Sequence, residues 1–140
     1  MFEIVVQKID LESIVAKVSS PKAGAISTFI GVTRNYTGER QVNYLFYEAY
    51  NSMALQQLAK IGDEVQKKYK IEKIAITHRI GRVNIEEASV IIAVSSGHRG
   101  ESIEACHYAI DTLKEIVPIW KKEFMVEGDP EWIANHAYPD

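Results

Sequence analysis

Ala88-Ser89-Val90-Ile91-Ile92-Ala93-Val94-Ser95-Ser96-Gly97-His98-Arg99-Gly100 decides the fold. Its first half is almost continuously apolar, the mark of a strand buried on both faces at the centre of a sheet. Its second half is a polar turn flanked by glycines. Beyond it Ile103, Cys106, Ile110, Leu113 and Val117 step by three, four, three and four, the spacing of one helix face. Pro118 stops that helix, because it has no N–H to donate and clashes with the preceding turn.

Working outward, residues 119–126 read as a last strand. Alternation puts Lys121 and Glu123 on one face with Ile119 and Met125. Trp120, Phe124 and Val126 fall on the other face and are predicted to be core. That places Lys122 on the apolar side, which fits only a bulged or edge strand. On the N-terminal side, residues 71–78 alternate as a strand, and Gly81 marks a turn or bulge. Ala54, Leu58, Ile61 and Val65 step by four, three and four, so a helix is expected there, capped by Asn51 and fading at Lys67-Lys68-Tyr69-Lys70. Residues 42–50 form an aromatic-rich strand. Residues 24–34 are apolar on both faces and predict a central strand, paired with 42–50 as a long hairpin across the polar loop 35–41. Asp10 caps a first helix carrying Leu11, Ile14, Val15 and Val18, which ends at Ser19-Ser20-Pro21. Residues 2–7 form the first strand, and the tail from Glu127-Gly128-Asp129-Pro130 is turn-rich. The order β-α-β-β-α-β-β-α-β predicts one α+β domain over residues 1–140, with a mixed or antiparallel sheet and three main helices packed on it.

The 140 residues are 46% hydrophobic and 25% charged, enough apolar chain to bury one core. A net charge of −3 gives no reason to expect nucleic acid or a membrane as partner, so any anion site must be a local cluster. Cys106 is the single cysteine, which excludes an intrachain disulfide and suits a reducing compartment. The N-terminal apolar run is too short for a signal peptide and has no basic lead, so a cytoplasmic location is expected. His78, His107 and His136 lack metal-ligand spacing with one another, and neither a Walker loop nor a Gly-x-Gly-x-x-Gly motif is present. No metal and no cofactor are expected.

Candidate chemistry falls in a few places, each with two readings. The turn Ser96-Gly97-His98-Arg99-Gly100 leads into a helix N-terminus, where free N–H groups and the helix dipole favour an anion. Arg99 can grip a phosphate bidentately, and His98 can donate near neutral pH. It can equally be a plain strand-to-helix turn with solvated side chains. Lys114 borders the apolar helix stripe. Burial there would favour its neutral amine, which can act as base or nucleophile. Otherwise its stem simply covers apolar surface. Lys121 with Glu123 is either part of a site or an ordinary surface ion pair. Arg34 ends a strand just before a polar loop, a common position for binding residues and for solvated arginines alike. Phe29, on that strand, reads as core. Cys106 sits on the apolar stripe and reads as a small buried residue rather than a reactive thiol.

The segments Thr28-Phe29-Ile30-Gly31-Val32-Thr33-Arg34-Asn35, His78-Arg79-Ile80-Gly81 and Val94-Ser95-Ser96-Gly97-His98-Arg99 carry a resemblance. So do Ala109-Ile110-Asp111-Thr112-Leu113-Lys114, Pro118-Ile119-Trp120-Lys121-Lys122-Glu123, and Glu127-Gly128-Asp129 with Trp132. In order, from about residue 24 to residue 133, the chain resembles the molybdopterin synthase large (catalytic) subunit family. The resemblance implies an α/β hammerhead fold. It implies a homodimer that takes one small ubiquitin-like subunit per chain, giving a heterotetramer. It implies a sulfurtransferase of molybdenum-cofactor biosynthesis, passing sulfur from the small subunit's C-terminal thiocarboxylate to cyclic pyranopterin monophosphate to make the molybdopterin dithiolene, with no cofactor. Position by position, the family's essential lysine falls on Lys114 and its second active-site lysine on Lys121. Its strand-end arginine falls on Arg34, its His-Arg pair on His98 and Arg99, its glutamate on Glu123 and its pocket phenylalanine on Phe29. Some relatives carry a basic residue near the C-terminal end, where this chain has Asn135-His136. Three rivals stand beside this: a phosphate-binding module without chemistry, a sulfurtransferase working through Cys106, and a scaffold for a ubiquitin-like protein.

Overall fold

A computed structural model describes residues 1–134. The chain runs β1 (Phe2–Val5), α1 (Leu11–Val18), β2 (Ala25–Val32), β3 (Tyr36–Thr37), β4 (Arg40–Ala49), α2 (Asn51–Lys68), β5 (Lys73–Arg79), β6 (Gly81–Asn84), β7 (Ala88–Ser96), α3 (Arg99–Ile116), β8 (Ile119–Met125) and β9 (Glu131–Ala134). It is an α+β fold with three helices, as the sequence predicts. The strands make two sheets rather than one. The first has the order β1-β5-β7-β2, with β1 parallel to β5 and the other pairs antiparallel. The second has the order β3-β4-β8-β9, with β6 also on β4.

Helices lie on both faces of the first sheet. α1 covers one face through Ile14 and Val18, which meet Ala75, Ile91 and Ala93. α2 and α3 cover the other, where Leu58, Ile61, Val65, Leu113, Ile74, Ile76 and Ile92 share one buried cluster. This double cover is why β7 is apolar throughout. It also explains why β5, expected to alternate, is buried on both faces from Ile74 to His78. The cluster continues into the second sheet through Leu45, Tyr47, Val83 and Ile119. The chain crosses between the sheets at Gly81, whose φ of +82 is costly for any side-chain-bearing residue. Among the described residues no helix is long and apolar enough to cross a membrane.

Several expectations need correction. β2 is the edge of the first sheet, with Ile26, Ile30 and Val32 exposed along one face. Its both-faces apolar character therefore does not come from a central place. β2 pairs with β7 and not with β4, so the long hairpin does not form. A smaller hairpin, β3 onto β4, fills the predicted loop 35–41. Asn51 is the first helical residue and Tyr50 the cap, with no side-chain bond. Ile103 is exposed despite its place in the α3 pattern.

On β8 the faces are reversed. Ile119, Glu123 and Met125 are buried with Lys121 half-buried beside them, while Trp120, Lys122 and Phe124 are half-exposed. Lys122 is thereby explained. Its ammonium lies 5.2 Å from the Phe124 ring and 5.4 Å from the Trp132 ring, on the outer face where Phe124 stacks on Tyr44 and Arg82 lies over Tyr44.

Candidate active site

Three elements converge where α3 ends. Pro118 breaks α3 and starts β8, so Lys114 on the last helical turn and Lys121 on the new strand face one space. β2 ends beside them and delivers Arg34. The resulting cleft has a volume of about 410 Å³. Its walls include Phe29, Arg34, Thr37, Lys114, Lys121 and Glu123. Two lysines and an arginine thus meet one carboxylate in a recess on the protein's flank.

Depth separates the two lysines. Lys114 is exposed, so the desolvation expected of it from sequence falls on Lys121 instead. Burial holds the Lys121 amine below its ordinary value. The Glu123 carboxylate opposes this, while the Lys114 and Arg34 cations add to it. Glu123 is 2% exposed. Thr37 Oγ1 donates to its Oε2 at 2.9 Å, and its Oε1 accepts no hydrogen bond among the described residues. A buried carboxylate oxygen without a donor is costly unless a cation stands near, and Lys121 supplies that charge. Arg34 leans over the Tyr36 ring at 5.0 Å, so the β3 hairpin touches both the arginine and the glutamate.

Behind the lysines lies a smaller recess of about 120 Å³ between Tyr47, His78, Ser89, Lys114 and Lys121. His78 is fully enclosed. Desolvation pushes its pKa down to about 4, against a hydrogen bond between Nδ1 and Arg79 O at 2.8 Å and with a small push from Lys121. It is a neutral ring edge-on to Tyr47, with centroids 5.2 Å apart. Sequence reasoning passed over Thr37 and Tyr47, and weighed His78 only as a metal ligand and as part of the resembling segment 78–81, without a place in the site. No spacing signal marks that place, since each reaches the site through strand pairing.

His98 and Arg99 lie elsewhere. They stand at the N-terminus of α3, and Arg99 precedes Lys114 by about 22 Å of helix rise. Both are exposed, and His98 makes no capping bond with its side chain. The turn is pinned to the start of β2, where Gly24 N donates to Ser96 O at 2.9 Å. A Cβ on Gly24 would lie 2.4 Å from Gly97 O, so only glycine permits this approach. One chain therefore does not bring His98 and Arg99 to Arg34 and the lysines. Cys106 lies midway along α3, buried, with its thiol pushed up to about 11 by desolvation. It is no reactive thiolate. Asn135 and His136 lie outside the described residues.

Comparison with known proteins agrees with this picture. The catalytic subunit of molybdopterin synthase from Bacillus subtilis is 49% identical, across 99% of this chain and 90% of that protein. A crystal structure of molybdopterin synthase from Staphylococcus aureus superposes with a TM-score of 0.90 at 44% identity, covering 94% of this chain and 95% of that one. A complex of subunits 1 and 2 of molybdopterin-converting factor from Helicobacter pylori shares the fold at a TM-score of 0.72 and 19% identity, over 95% of this chain and 88% of that one. Residues 4–116 match the family model described as MoaE protein, and with these relatives the match shows that the chain belongs to that family.

Proposed function

We propose that the cleft holding Lys114, Lys121, Arg34 and Glu123 is where sulfur changes hands. The chain is a molybdopterin synthase catalytic subunit, a sulfur-transferring enzyme of molybdenum-cofactor biosynthesis. The sulfur source is the C-terminal thiocarboxylate of a small ubiquitin-like subunit, and the acceptor is cyclic pyranopterin monophosphate. A partner subunit is supported by the Helicobacter pylori structure, a protein-protein complex of subunits 1 and 2 of molybdopterin-converting factor.

The observation that carries the assignment is the convergence of two lysines from different elements against a buried carboxylate. Sulfur of a thiocarboxylate attacks an electrophilic carbon of the substrate, and the bond from that carbon to an oxygen substituent breaks, the oxygen leaving with its electron pair and taking up a proton. Water then cleaves the thioester, leaving sulfur on the pterin and a carboxylate on the carrier. Lys114, exposed at the rim, meets the incoming thiocarboxylate. Lys121, with its proton loosened by burial, takes the proton of the attacking water. Glu123 holds Lys121, Phe29 forms the apolar wall, and Arg34 binds phosphate. A cytoplasmic setting fits the buried lone thiol. One domain over residues 1–140 fits the single cluster that joins both sheets.

His98 and Arg99 complete the phosphate site from a second copy of the chain. β2 has an unpaired edge and exposed Ile26, Ile30 and Val32, features that a lone soluble strand ordinarily avoids. Antiparallel pairing of two β2 edges about a two-fold axis sets the start of one β2 beside the end of the other. The start of β2 is bonded to the turn before His98, and its end leads to Arg34. Each copy thus lends its α3 N-terminus to the other's lysines, and one small subunit per copy makes a heterotetramer.

The test is conversion of cyclic pyranopterin monophosphate to molybdopterin by this chain with a thiocarboxylated small subunit, run beside Lys114→Ala. Product from the wild type and none from the folded variant is expected. Full activity in Lys114→Ala would remove that residue from the mechanism.

A further inference from the structure

We infer that Thr37 is a positioning residue for sulfur transfer, fixing the Glu123 carboxylate so that its other oxygen serves Lys121. This rests on Lys121 acting in the cleft. Thr37 belongs to a two-residue strand whose hairpin turns at Gly38, with φ +60. Its partners there are Arg40 and Gln41, and Val42 N donates to Asn35 O at 2.9 Å to close the base of the hairpin. Arg40 ties the hairpin across to the carbonyls of Glu127 and Asp129 at 3.3 and 2.9 Å. A hydroxyl held this firmly can hold a carboxylate in turn.

The carboxylate has two oxygens with different fates. Oε2 takes the Thr37 hydroxyl, and Oε1 is shut from solvent without a donor among the described residues. A carboxylate tethered at one oxygen cannot rotate freely about its terminal bond, so the other oxygen keeps a fixed direction. Glu123 and Lys121 lie two positions apart on β8, on one face, which brings Lys121 into the field of that oxygen. The charged and titratable groups around the Lys121 amine are Glu123 on its own strand, Lys114 from α3, Arg34 beyond β2, and His78 and Tyr47 from β5 and β4. Glu123 is the one anion among these described residues, so its orientation bears on how firmly Lys121 keeps its proton.

Thr37→Val keeps the shape and removes the donor. Loosening Glu123 weakens its hold on the Lys121 proton, so the limb of the pH–rate profile that follows Lys121 moves to lower pH. The direction is the same whether Lys121 works as amine or as ammonium. Turnover by the complex with the thiocarboxylated small subunit is expected to fall about tenfold at neutral pH, with KM for the small subunit unchanged. Thr37→Ser, which restores the hydroxyl, returns both the limb and the rate. An unmoved limb in a Thr37→Val protein that melts like wild type would overturn the inference, as would failure of Thr37→Ser to restore it. Lys121→Ala is run in parallel. If that variant is fully active, Lys121 itself is misassigned. If it is inactive and Thr37→Val leaves the limb in place, only the role of Thr37 is lost.

Discussion

The two ends of α3 differ in a way that explains the site. At the C-terminal end Lys114 meets a walled cleft with a buried carboxylate, an anchoring hydroxyl and a second lysine. At the N-terminal end His98 and Arg99 stand exposed, with the first-turn N–H groups uncovered by any side-chain cap at His98. One end is built by its own chain. The other exposes a histidine and an arginine that lie far from its own chain's lysine cleft. In the proposed dimer a single helix would serve two sites, one in each copy, which would reconcile the difference.

The comparison breaks most sharply at its finished end. Lys121→Ala is expected to lower turnover by about 10²–10⁴-fold, the range lost with a positioned acid–base group. Single-turnover measurement with preformed complex checks it. A loss confined to KM would make Lys121 a binding residue, and the finished end would then be only a docking point.

The open end gives a smaller effect with a sharper signature. Arg99→Ala removes a charge-assisted grip on phosphate, expected to raise KM for the pterin about 10–100-fold. Mixing Arg99→Ala with Lys114→Ala chains distinguishes the arrangement. If each pocket draws Lys114 from one copy and Arg99 from the other, mixed dimers hold one intact pocket and one doubly damaged pocket. Half the dimers mixed and half their pockets intact restores about a quarter of wild-type activity. If both residues served a pocket within one chain, no mixed dimer would contain an intact pocket, and activity would stay at the level of the separate variants.

Much of this was legible in the sequence. The α2 stripe Ala54, Leu58, Ile61 and Val65 is fully buried as its spacing predicts, and β7 is the central strand its apolar run requires. The misreadings share one cause. Periodicity tells which residues share a face, not what covers that face. β2 looked central because residues of both its faces are apolar, yet one face and one edge lie open. β8 was assigned its core by its aromatic residues. Tyr44, Phe124 and Trp132 instead form an outer ladder with Lys122 and Arg82, while the charged Glu123 is buried. Pattern alone picked out the His98-Arg99 turn, Lys114, Lys121 with Glu123, and Arg34, but left each with two readings, and the resemblance gave them their roles. Thr37 meets Glu123 across the gap between strands far apart in sequence, which no local pattern records.

The pocket floor offers a stability test. His78 is held neutral with a pKa near 4 against an ordinary 6.5. Below its ordinary value the unfolded chain binds a proton that the folded chain refuses. Stability tied to this group is therefore complete above pH 6.5 and lost as pH falls towards 4, by about 3 kcal/mol. Denaturant titration across that window, with His78→Gln as control, is expected to show a slope that the variant flattens. A slope equal in both proteins would mean the imidazole is charged in the fold, so the floor behind Lys121 would carry a cation rather than a neutral ring.

The smallest effect is expected midway along the helix. Cys106 lies between the two ends, against the apolar groove formed with Ser27, Thr28, Phe29 and Ile110. Burial pushes its thiol up to about 11, so the thiolate that forms a persulfide is scarce at neutral pH. Cys106→Ser is therefore expected to leave turnover within about twofold, and to lower stability by about 1–2 kcal/mol because a hydroxyl replaces an apolar sulfur. Turnover and melting, measured on one preparation, separate the two effects. If a folded Cys106→Ser protein made no product, sulfur would have to pass through the middle of α3. The lysine cleft and the exposed His-Arg turn would then be two anion sites flanking a thiol relay, and the division of labour between the helix ends would fall with it.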